Sequence, residues 1–194
     1  MVVVLAAAGG FAIYQGTFVT GMIHDELVSQ QIYFPGTDQV KAGGALDPTV
    51  FPAELTQYAG SQIDNGDKAR VYANDFIAKH LEGVASGQTY SQVSTKLLAD
   101  NARLAGMSKD DPGYADLQKE INTLSAQRTT LFQGDTLRSS LLNAYGWYTV
   151  GMYSIYSGIG LLLASLVVLG ALGFEVFVAG RRPETLKVAR QVAA

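Results

Sequence analysis

The sequence predicts an all-α membrane protein: a two-helix transmembrane hairpin with a helical extracytoplasmic domain between the spans. Three observations predict it. No charged residue occurs over residues 1–23 or 139–174, whereas the residues between are densely polar. Such segregation is expected when bilayer and water solvate different parts of one chain. A cationic cluster, Arg181, Arg182, Lys187 and Arg190, follows the second apolar stretch. In the middle, apolar residues recur at helical spacing. The organisation is read as a first span over 1–23, an extracytoplasmic domain over 24–147, a second span over 148–179 and a cytoplasmic basic tail over 180–194.

The first stretch, residues 2–23, is interrupted only by neutral Gln15 and by small or hydroxylated residues. At about 1.5 Å per residue, some twenty residues cover the hydrocarbon layer. A secretory signal peptide is the rival reading, but it needs a basic n-region and residues 1–10 hold no Lys or Arg. A retained anchor is expected, with a cytoplasmic leader before residue 1 left open. The second stretch has its apolar heart at 155–172.

Orientation follows from charge, because Lys and Arg near a membrane end stay cytoplasmic. The tail after residue 179 carries four basic residues against one acidic, a balance of +3, while residues 24–147 carry ten against fifteen, a balance of −5. Both termini are thus expected in the cytoplasm of a plasma-membrane protein. Tyr145, Trp147, Tyr148, Tyr153 and Tyr156 gather at the outer entrance of the second span, and Phe174 and Phe177 at its inner end. Amphipathic rings collect at such interfaces. Trp147, Tyr148, Tyr153 and Tyr156, with Arg181 and Arg182, are therefore read as topology anchors; a ligand-binding aromatic cluster is the other reading. Glu175, the carboxylate near the inner end, is read as a boundary residue able to snorkel or pair with a nearby Arg, rather than as a proton relay.

Small residues recur on both apolar stretches. Ala8, Ala12, Gly16 and Thr20 fall at every fourth position, as do Ser154 with Gly158 and Gly160 with Ala164. Lipid is as apolar as leucine, so membrane helices associate through close approach of small residues. These eight residues are the candidate interaction residues, toward the other helix of the hairpin or another subunit.

The middle reads as helical throughout. Residues 24–32 continue the first helix until Pro35 and Gly36 break it, and the turn formers of 35–50 form an ordered loop. A long amphipathic helix starts at Pro52, carries Leu55, Tyr58, Ile63, Ala69, Tyr72, Phe76, His80 and Leu81, and is interrupted at Asn65-Gly66. Thr89 and Gln92 have the spacing of a capping box opening a helix to about residue 105. A further helix covers 114–132, with Gly134-Asp135-Thr136 as punctuation before the second span.

Composition excludes much chemistry. No cysteine is present, which removes disulfides, thiolate metal sites, iron–sulfur clusters and cysteine nucleophiles. A net charge of −3 provides no basic footprint for nucleic acid. His24 and His80 are the two histidines. His24 stands beside Asp25 and Glu26 where the first helix leaves the membrane, with no second histidine four residues away. His80 is expected on the apolar face of its helix as a hydrogen-bonded core residue. Gly9-Gly10 lies in an apolar stretch, not in a phosphate loop. Asp25-Glu26 and Asp110-Asp111 read as a solvated cap and a turn.

Residues 72–90, Tyr-Ala-Asn-Asp-Phe-Ile-Ala-Lys-His-Leu-Glu-Gly-Val-Ala-Ser-Gly-Gln-Thr-Tyr, resemble a segment of small actinobacterial two-transmembrane-helix proteins of unknown function. There, an Ile-x-Lys-His helix and a Gly-x-Thr-Tyr turn precede the last membrane helix. The Arg138-Ser139-Ser140-Leu141 approach is similar as well. The resemblance implies the same hairpin topology, and such proteins often carry the label aromatic ring-opening dioxygenase. Non-haem iron chemistry of that kind typically uses two histidines and a carboxylate on one face, and here two histidines are all there are. The expectation is a protein without cofactor, metal or catalytic residue. It is a non-catalytic accessory subunit of a larger actinobacterial membrane complex, respiratory or cell-envelope, with other membrane subunits and the lipid bilayer as partners. The alternative is a stand-alone anchored binding or sensing module, its ligand framed by the 35–50 loop and the tyrosines.

Overall fold

The structure, a computed structural model, describes residues 1–181. The described chain is all-helical, without strands: α1 (Val2–Ser29), α2 (Ala53–Thr56), α3 (Gly66–Val71), α4 (Ala78–Val84), α5 (Tyr90–Ala105) and α6 (Tyr114–Gly180). Between α3 and α4 the helix continues over Tyr72–Ile77 with the wider π turn. α1 and α6 are both long and apolar enough to cross a membrane. Only 11% of the most apolar stretch of α1 and 6% of that of α6 is buried within the protein. A core helix of a soluble protein is mostly covered by its own chain, and these apolar faces are not.

The chain divides into two compact units. The first comprises Met1–Val19 and the chain from Val150 onward. Here the two helical segments lie antiparallel, with Gly9 opposite Gly158 and Gly16 opposite Gly151.

The second unit is Thr20–Thr149. It holds two apolar clusters. In one, Leu27 of α1, Leu141 of α6 and Val71 of α3 enclose Leu46, Leu55 and Ile63, the last three fully buried. In the other, Val93 and Leu97 of α5 pack on Leu117, Ile121, Leu124 and Leu131 of α6, the spacing that puts apolar residues on one helix face. α1 ends where Gln31 takes φ +52°, a left-handed turn of the kind that stops helices. The 35–50 loop is ordered. Asp47 accepts from Gly43 N at 2.6 Å, Thr49 N at 2.8 Å and Thr49 Oγ1 at 2.7 Å, which seats Leu46 in the core.

Three expectations are corrected. The long helix from Pro52 is a short α2, and helix resumes only at Gly66. The residues between turn back instead: Gly60 has φ +74°, and main-chain bonds Phe34 N to Ser61 O and Ile63 N to Ile32 O, both 2.9 Å, pair 60–63 with 32–35. Helix restarts where Asn65 Oδ1 accepts from Lys68 N at 3.0 Å. Gly134 does not punctuate, since α6 runs through it. Its role is close approach: a Cβ there would stand 2.4 Å from Leu81 Cδ2. Finally, His80 is exposed rather than in the core. The capping box of α5 is formed, with Thr89 N donating to Gln92 Oε1 at 2.8 Å and Gln92 N to Thr89 Oγ1 at 3.3 Å.

Candidate functional site

In the first unit the helices touch along a seam of small residues. A Cβ on Gly16 would stand 2.5 Å from Gly151 O and 2.6 Å from Ile155 Cγ1; one on Gly158 would stand 2.6 Å from Gly9 O. Ser154 Oγ donates to Ala12 O at 2.8 Å, so a hydroxyl finds its acceptor across the seam. Of the sequence candidates, Ala12, Gly16, Ser154 and Gly158 are brought together here. Ala8, Gly160 and Ala164 are exposed, and nothing lies within 4 Å of a Cβ built on Gly160. Thr20 is half-buried and belongs to the other unit.

Gly9 and Gly151 escaped the fourth-residue pattern. The seam repeats every seventh residue, Gly9 to Gly16 and Gly151 to Gly158. A fourth-residue series rotates about 40° around the helix at each step, whereas a seventh-residue series drifts only about 20°. The heptad was the signal available.

Among the anchors, Trp147, Tyr153 and Tyr156 are exposed. Tyr148 packs on Gly66, where any Cβ would meet its side chain at 2.5 Å. Arg181 lays its guanidinium 3.9 Å from the Phe177 ring centroid. Glu175 is exposed. Arg182, Lys187 and Arg190 lie outside the described residues.

In the second unit, long polar side chains end on main-chain carbonyls. His24 Nδ1 and Asp64 O are 2.8 Å apart, as are His80 Nδ1 and Phe76 O. A carbonyl only accepts, so each imidazole donates from Nδ1. Gln62 Nε2 donates to Val28 O at 2.8 Å, Lys68 Nζ to Gln62 O at 3.0 Å and Arg138 Nε to Ala73 O at 3.0 Å. His80 also stacks on Phe51 at 5.6 Å and lies 4.3 Å from Phe76, closing a row with Tyr72 and Phe34. Arg70 pairs with Glu54. Burial, then the neighbouring Glu54, pushes the Asp75 carboxyl above its ordinary value. Among the described residues no three His, Cys, Asp or Glu side chains gather to hold a metal ion.

The unit also carries an open groove of about 660 Å³ lined by Tyr90, Phe132, Asp135, Thr136, Ser139, Ser140 and Asn143. A smaller cavity of about 160 Å³ shares Ser140 and Asn143 with it and reaches Glu26 and Gln30 of α1. The lining comes from the start of α5 and one stripe of α6, not from the 35–50 loop. Arg128, outside the lining, contacts Tyr90, its Nη2 3.2 Å from Tyr90 Oη and its guanidinium 5.5 Å from the ring centroid. That hydrogen bond lowers the Tyr90 hydroxyl below its ordinary value. The ring of Phe132, 5.8 Å from that of Tyr90, is 58% exposed. Sequence reasoning missed this groove because its residues look like an ordinary polar helix face.

Comparison with protein-family models, curated proteins and solved structures returned no match.

Proposed function

We propose that this chain is a non-catalytic accessory subunit of a larger membrane complex, respiratory or cell-envelope in kind, in an actinobacterial membrane. Residues 1–23 and 148–179 form its transmembrane hairpin, both termini are cytoplasmic, and residues 24–147 stand outside. The observation that carries the accessory role is the fate of the polar side chains. His24, Lys68 and Arg138, groups able to do chemistry, are committed to main-chain carbonyls of other segments, and His80 to the carbonyl one turn back in its own helix. The hairpin rests on two uncovered apolar helices, their small-residue seam and the charge balance on either side of the second span. Lipid covers part of those faces, and neighbouring subunits cover the rest through the exposed small residues Ala8, Gly160 and Ala164.

Purification of the tagged, full-length chain in mild detergent tests the accessory role. Stoichiometric co-purifying membrane subunits are expected, and a clean monomer from native membranes overturns it. The groove beside Phe132 favours a second reading, an anchored module that binds a ligand outside the cytoplasm. Thermal-shift screening of the folded protein tests that one, and a persistent null against lipids and small envelope metabolites defeats it.

A further inference from the structure

We infer that the groove between the start of α5 and the 132–143 stripe of α6 is a binding site for a neutral saccharide. The inference rests on the second reading above, that this domain binds a ligand, and names the ligand's chemistry. Three features of the groove select it. Its floor offers an aromatic ring to solvent: Phe132 is 58% exposed and is held beside Tyr90 at 5.8 Å. A water-facing ring of this kind offers the flat, weakly apolar C–H face of a sugar a surface on which to stack. Around the ring stand short hydroxyls and an amide. Thr136 Oγ1 donates to Phe132 O at 2.7 Å and Ser140 Oγ to Thr136 O at 3.0 Å. With their protons spent along the helix, these oxygens keep lone pairs to accept from a ligand, and the Asn143 amide supplies both donors and an acceptor.

The third feature is charge. No Lys or Arg lines the groove, and its one carboxylate, Asp135, stands 3.7 Å from Arg138 Nη1. A phosphate or carboxylate ligand calls for a free, forked cation, and a cationic ligand for a free carboxylate or an aromatic cage; the groove presents neither. What remains is a polyhydroxylated, uncharged molecule with one apolar face. At about 660 Å³ the groove has the size of small-molecule sites, about 300–1,000 Å³, and its open form suits a short oligosaccharide. A purely apolar partner helix fits it worse, because Ser139 and Asn143 would be buried against hydrocarbon.

The test uses the full chain in lipid nanodiscs free of glycolipid and of sugar-headed detergent. Saturation-transfer NMR is recorded with maltotriose and with the trimer of N-acetylglucosamine. At least one trisaccharide is expected to receive saturation, strongest on the C–H protons of a single ring face. Phe132→Ala should weaken that binding about tenfold, and Asn143→Ala should weaken it less. Val50→Ala, an exposed substitution on the 35–50 loop, should leave it unchanged. Circular dichroism of each variant separates lost binding from lost folding, and Tyr90→Phe, which keeps the ring, should still bind. Absence of transfer to both sugars overturns the inference, as does transfer that Phe132→Ala leaves intact. If a lipid or peptide instead shifts the melting temperature in a Phe132-dependent way, the saccharide assignment falls while the ligand-binding reading stands.

Discussion

Single residues decide how closely the two apolar helices meet. Gly16 and Gly158 stand where a Cβ would lie within 2.6 Å of the opposing main chain, so the helices must part to admit one. Gly16→Leu or Gly158→Leu is expected to destabilise the helix pair by about 1–3 kcal/mol, the usual range for overpacking, whereas Gly160→Leu, which faces open space, should be close to neutral. Steric-trap or urea unfolding in detergent measures the difference. Asp47 governs a different place. Hydrogen bonds from Gly43 N and then from Thr49 hold its carboxyl below the ordinary value of 3.8. Folding therefore favours its ionised form. That stabilisation is complete above the ordinary value and is lost as pH falls through the lower, folded value. Limited proteolysis of the 35–50 loop should accelerate as pH drops below 3.8 in the wild type. In Asp47→Asn the loop should be cut faster at neutral pH and respond less to acid.

At the scale of elements, helix starts are set by short polar signals and helix continuity by packing. Thr89 and Gln92 satisfy each other's main-chain N–H groups at the start of α5, and this cap also positions Tyr90 at the groove. Thr89→Ala should cost about 1 kcal/mol, read as a lower melting temperature. A weaker Tyr90–Arg128 contact should accompany it, visible as a Tyr90 hydroxyl that titrates nearer its ordinary value. α6 shows the converse. Gly134-Asp135-Thr136 has the look of a break, yet the helix runs through it, and Leu81 occupies the space a side chain at 134 would take. Gly134→Val should then disturb packing between α4 and α6 although valine is no worse a helix former than glycine. Hydrogen exchange at 78–84 is the place to see it. If those amides stay protected, the close approach is not what that glycine provides.

For the whole molecule, the natural chain lacks cysteine, so introduced thiols report cleanly. Ser154 Oγ reaches Ala12 O, so the two helices run close together at those positions. Ala12→Cys with Ser154→Cys should cross-link in native membranes under mild oxidation, and Ala8→Cys with Ala164→Cys should do so far less. Orientation has its own test. A cysteine at Ser108 should react with an impermeant maleimide in intact cells, and one at Ala194 only after permeabilisation. The opposite pattern reverses the proposed topology.

The sequence by itself determined the two apolar helices, the all-helical class, the α5 cap and the polar character of the middle. Each is a local property, carried by hydropathy over about twenty residues or by side chains three positions apart. The tertiary structure decided what local pattern leaves degenerate. Leu55, Tyr58 and Ile63 read as parts of one long helix, yet Leu55 is buried from the short α2 and Ile63 from irregular chain, after the turn at Gly60 and the pairing of 60–63 with 32–35. The seam was legible only in part: small residues marked the helices, but which ones meet depends on register, and register selected Gly9 and Gly151 over Ala8 and Gly160. The groove was not legible at all. Tyr90 and Phe132 are forty-two positions apart, and only the packing of α5 on α6 puts their rings side by side.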